Sequence, residues 1–117
     1  MLSYDQVQAA IEQVSDQLEE LVAEIRVAAD ESARAEARYK AEFAKARIRY
    51  RARCVEAHRR PNMDEVSDHA MVVTEDLFLP HLCAQNNLTT LREALRARQA
   101  QLDALRTLSA SFRAAGG

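Results

Sequence analysis

From Ser3 to Arg60 the chain contains neither glycine nor proline, and its apolar residues recur every three or four positions. Tyr4, Val7, Ile11, Val14, Leu18, Leu21, Ile25 and Ala28 alternate steps of three and four without a miss. That spacing places them along one edge of an α-helix, as in a coiled-coil seam. Ser3 followed by Gln6 forms a capping box at the start. The simplest expectation is one helix over about 4–59, with Asp30–Ser32 as the weakest point because Asp and Ser side chains compete for backbone hydrogen bonds.

Breakers are confined to few places. Pro61, in Arg60-Pro61-Asn62, predicts a turn over about 60–62, because the residue before a proline is held out of the helical region. A second apolar series then runs through Met63, Val66, Ala70, Val73, Leu77, His81, Ala84, Leu88, Leu91, Leu95, Arg98, Leu102, Leu105 and Phe112. It predicts a helix or helices over about 63–113, kinked or broken near Pro80, with Asn86–Thr90 as a weaker boundary. The fold class expected is all-α: a long antiparallel helical hairpin, coiled-coil-like, in one domain over 1–117. A turn centred on Pro61 would set Cys54 against Asp68 and Cys83 against Tyr39.

Charge is distributed in blocks. Residues 1–33 carry a net −7, residues 34–60 a net +7, residues 61–90 a net −5 and residues 91–117 a net +3. In an antiparallel hairpin each basic block lies beside an acidic one, so the pattern has a purely structural reading in which Arg side chains pair with Asp64, Glu65 and Asp68. A surface made of residues 34–60 alone would instead present the basic footprint of a nucleic-acid binder.

Residues 37–57 carry two apolar stripes. Tyr39, Phe43, Ala46, Tyr50, Cys54 and Ala57 form one; Ala37, Ala41, Ala44, Ile48, Ala52 and Val55 form the other, on roughly the opposite side. A helix with two apolar stripes is packed on two sides. The hairpin uses one, which leaves Ala37, Ala41, Ala44, Ile48 and Val55 as the expected contact between subunits of a homo-oligomer.

No Gly-rich phosphate loop, GxSxG or HExxH is present, and no enzyme is expected. Cys54 and His58 are one helical turn apart, but a structural zinc site takes four ligands, so neither metal nor other cofactor is expected. Two cysteines without CxxC spacing read as reduced thiols of a cytoplasmic protein. No apolar run approaches the ~18 residues of a membrane span, and the polar N-terminus does not read as a signal peptide.

The segment that best carries chemistry is Lys45, Arg47, Arg49, Tyr50, Arg51 and Arg53: cations for phosphates and a ring on which a base can stack. Its run Lys45-Ala46-Arg47-Ile48-Arg49-Tyr50 resembles the Lys-Ala-Arg-apolar-x-Tyr segment of UvsY-type recombination mediators of T-even phages. Met63-Asp64 starts the second helix as it does in that family, Leu102-Asp103-Ala104 falls at a matching distance further on, and Leu105–Ser111 is similar to the C-termini of many small phage helical proteins, so the resemblance covers about residues 40–113. The turn differs, since the family has a Gly-rich loop where this chain reads Arg59-Arg60-Pro61-Asn62.

The resemblance implies a non-enzymatic protein that binds single-stranded DNA, assembles into ring-like oligomers and helps load a RecA-like recombinase onto strands covered by single-strand-binding protein. It implies that Lys45 and Arg47 carry strand binding, and that the protein works in the bacterial host cytoplasm if phage-encoded. The alternative from a different class is a structural or scaffolding coiled-coil protein, such as one of a phage particle, in which every charge block serves packing.

Overall fold

A computed structural model describes residues 2–116. The chain is an all-α helical hairpin, with no strand among the described residues. The first arm is α1 (Tyr4–Glu56), and the returning arm is α2 (Met63–Val73) followed by α3 (Glu75–Ala114). The helices divide into two compact units, one of residues 1–28 with 88–117, the other of residues 29–87.

In the first unit the expected cap is present. The Ser3 hydroxyl accepts from Gln6 N (3.2 Å), and Ser3 N donates back to Gln6 Oε1 (2.8 Å), satisfying two donors that a helix start leaves without partners. Val7, Val14 and Ala28 are buried and Ile11, Leu18, Leu21 and Ile25 half-buried, as the seam predicts. From α3 the unit buries Leu102 and Ser109. Ser109 is a polar residue in the seam, and its hydroxyl accepts from Gln8 Nε2 at 2.7 Å, which offsets the desolvation of the hydroxyl. Tyr4 meets Phe112 edge-on, with ring centroids 6.1 Å apart.

The second unit holds the turn, and here three expectations shift. Helix α1 runs through Asp30–Ser32 without a break but stops at Glu56, short of the expected Arg59. Arg59 N donates to Cys54 O (2.7 Å), His58 N donates to Val55 O (3.0 Å), and His58 has φ 55°. These are the paired bonds and left-handed residue of a Schellman cap, with histidine where glycine is usual. The loop therefore spans Ala57 to Asn62, and its midpoint lies between Arg59 and Arg60 instead of on Pro61. The pairing slides accordingly: Tyr39 stacks on His81 and meets Phe78, both at 5.5 Å, in place of the expected Cys83.

Asn62 caps α2, its Oδ1 accepting from Glu65 N at 2.7 Å. The second arm then breaks at Thr74, six residues before Pro80. Thr74 is 2% exposed, and both its amide (3.0 Å) and its hydroxyl (2.7 Å) donate to Ala70 O. Pro80 lies inside α3, where it has no N–H for the Asp76 carbonyl; starting α3 anew at Glu75 leaves only one helical turn upstream of that defect. No boundary falls at Asn86–Thr90. The inward series of α2 and early α3 is Val66, Ala70, Thr74, Leu77 and His81, so Thr74 takes the place expected for Val73, and Met63 and Val73 are exposed.

Candidate nucleic-acid interface

All six candidate binding residues lie near the C-terminal end of α1, between Lys45 and Arg53, distributed around the helix. The stripe Tyr39, Phe43, Ala46, Tyr50 and Cys54 faces inward, with Ala46 and Cys54 buried. Tyr50 is thus a packing residue on at least one face. Its ring stacks on His69, with centroids 4.4 Å apart and 21° between planes. Its hydroxyl donates to Glu65 Oε2 at 2.5 Å, and Arg59 also binds that oxygen. The carboxylate at its hydroxyl holds the Tyr50 pKa above the ordinary tyrosine value, and the same negative charge raises that of Arg59.

The bases differ in how free they are. Lys45 pairs with Glu42 at 3.3 Å on the exposed surface. Arg47 lies over the Phe43 ring at 5.3 Å, with its Nε buried and unpartnered. Arg51 reaches Met63 Sδ at 3.7 Å. Arg53 lies over the Tyr50 ring at 5.9 Å, and its Nη2 is 2.9 Å from His69 Nε2. Because guanidinium only donates, Nε2 is the acceptor there and the imidazole proton sits on Nδ1. Arg49 makes no ion pair among the described residues.

Arg49 and Arg53, one turn apart, form one wall of an open groove of about 490 Å³ across from His69 and Val73 of α2, with the buried Ala46 and the exposed Ala52 also lining it. Residue type alone places His69 either on the surface or between helices. Its place beside two arginines comes from the pairing of α2 against α1.

Charge pairing across the turn is sparse. Arg34–Asp30, Lys40–Glu36 and Lys45–Glu42 are pairs within α1. Arg59–Glu65 is the single ion pair between the basic and acidic blocks among the described residues. Among the described residues Asp64, Asp68, Glu75 and Asp76 form none, and neither do Arg38, Arg47, Arg49, Arg51, Arg53 and Arg60.

Of the stripe expected between subunits, Ala37 and Ala41 are exposed, Ala44 is half-buried, and Ile48 (65%) and Val55 (70%) stand in solvent. Cys54 is buried, Cys83 exposed, and both are free thiols. Among the described residues no three His, Cys, Asp or Glu side chains gather as a metal site would require. None of the helices is long and apolar enough to cross a membrane. Comparison with protein-family models, curated proteins and solved structures finds no match to this chain.

Proposed function

We propose that this chain is a self-associating helical hairpin that binds single-stranded DNA through the basic half of α1 and acts, without catalysis of its own, as a recombination mediator. The observation that carries strand binding is the unneutralised basic surface. Among the described residues six of the ten bases in residues 34–60 have no ion pair, and a single one reaches across the turn to the acidic block. Charges not paired with an acid are available to phosphates, and each phosphate neutralised releases counterions. The Arg49–Arg53 groove has apolar surface between its cations, which suits a flexible strand offering phosphate, sugar and base together.

The mediator role itself, with a RecA-like recombinase and single-strand-binding protein as partners, is supported by the resemblance of the Lys45–Tyr50 run. Within that segment the geometry favours Arg49 and Arg53 over Lys45 and Arg47 as the first contacts. Arg49 has neither an ion pair nor a ring contact among the described residues, and Arg53, although it lies over Tyr50 and reaches His69, lines the same open groove; Lys45 is paired, and the Arg47 Nε is buried. The test is fluorescence anisotropy of a labelled single-stranded oligonucleotide. Binding at ~50 mM salt should weaken linearly in log–log terms with a slope of about −0.7 per phosphate contact. Absence of binding at micromolar protein rejects the reading.

A second reading, a scaffolding protein, is favoured by the exposed Ile48 and Val55. It predicts assembly with no affinity for DNA, so the same titration separates the two.

A further inference from the structure

The second unit carries two exposed apolar faces of opposite charge. On α1, Ile48 and Val55 stand out at 65% and 70% exposure, flanked by Lys45 on one side and Arg51 on the other. On α2, Asp64, Asp68 and Met71 follow one another at helical spacing, and Val72 lies beside them one turn after Asp68; Met71 (57%) and Val72 (69%) are exposed. Asp64 and Asp68 make no ion pair among the described residues. Beside them Met71 and Val72 join Tyr39, Glu75 and Phe78 around an open pocket of about 270 Å³. One face therefore has protruding aliphatic side chains with bases around them; the other has an apolar hollow with acids around it.

We infer that these two faces are partners: the Ile48–Val55 face of one copy of this chain docks on the Met71–Val72 face of the next. Like faces would not pair in this way. Two α1 faces brought together would oppose Lys45 and Arg51 to their own copies, and two α2 faces would oppose Asp64 and Asp68, whereas the unlike pairing sets base against acid and side chain against hollow. An interface between unlike surfaces leaves one free face at each end, so it propagates from copy to copy and either closes as a ring or continues as a filament. Arg49 and Arg53 lie on a different side of α1, toward His69 and Val73, and stay outside this contact. The inference rests on the self-association in the proposed function and names its second surface.

The test uses two full-length variants and their mixture, followed by size-exclusion chromatography with light scattering at tens of micromolar. Ile48→Asp removes the protruding face and leaves the hollow; Val72→Asp does the reverse. Both positions are exposed, so circular dichroism should match the wild type. The expected result is an oligomeric wild type, each variant monomeric alone, and an equimolar mixture forming a heterodimer and nothing larger, since one intact interface remains. Val72→Asp assembling like the wild type, or a mixture that stays monomeric, would overturn the pairing while leaving self-association standing. A monomeric wild type would overturn both.

Discussion

Tyr50 and Glu65 are joined across the turn, the tyrosine hydroxyl donating to the carboxylate at 2.5 Å. The bond ties the last turns of α1 to the first turn of α2, and Arg59 from the connecting loop binds the same oxygen. The apex of the hairpin is therefore fixed by polar groups as well as by Cys54 and Val66 beneath it.

That bond has a signature at high pH. Glu65 raises the Tyr50 pKa, so the folded chain holds this proton more tightly than the unfolded chain does. The contribution to stability is complete below the unfolded tyrosine value of ~10 and is lost as pH rises through the higher folded value. Glu65→Gln removes the charge. In a spectrophotometric titration, one of the three tyrosines should then ionise at lower pH than in the wild type. Superimposable titrations would mean that the bond does not form in solution.

His58 is the other apex residue with a measurable consequence. An L-residue in the left-handed region costs about 1–2 kcal/mol, and glycine avoids this at an entropic cost of about 0.5–1 kcal/mol. His58→Gly should therefore stabilise the protein by roughly 0.5–1 kcal/mol, seen as a higher urea midpoint at unchanged slope. His58→Val should destabilise it. A lower midpoint for the glycine variant would show that α1 does not end in this cap.

Most of the hairpin was legible because long helices write their inward faces as a repeat. The Val7–Ala28 seam, the Ser3–Gln6 box and the inward Tyr39–Cys54 stripe all appear where spacing puts them. The misses share one cause: polar residues doing structural work that an apolar pattern does not register. Thr74 breaks the second arm by bonding back to Ala70, where the proline drew attention downstream. Ser109 is buried in the seam because Gln8 reaches it. His58 ends α1 early through a backbone conformation that residue type does not announce, and this slides the pairing away from the Cys83–Tyr39 register. In the candidate site, the segment was visible as charge. That Tyr50 packs on His69, and that Arg49 and Arg53 share a groove with it, depends on the pairing of α2 against α1, which the corrected turn sets.

The thiols report on burial directly. Cys54 is 5% exposed and Cys83 is exposed. A disulfide reagent should label one thiol per chain rapidly in the native state, mapping to Cys83, and the second only as the chain unfolds. Peptide mapping after mild oxidation should find no bond between Cys54 and Cys83. Rapid labelling of Cys54 would mean that α1 and α2 do not pack at the apex.

In the proposed function the basic half of α1 works outward, on single-stranded DNA, and two double variants compared in one anisotropy titration over a salt series test this. Arg49→Ala/Arg53→Ala removes the groove wall. Lys45→Ala/Arg47→Ala removes the pair that the sequence resemblance singles out. Both should weaken binding, the first more strongly, and the first should reduce the salt slope by roughly one to two contacts' worth at about 0.7 each. Helicity should be unchanged in both, and oligomer size in the Arg49→Ala/Arg53→Ala protein, whose two residues lie outside the subunit contact. Wild-type affinity and slope in the Arg49→Ala/Arg53→Ala protein would contradict the proposed function.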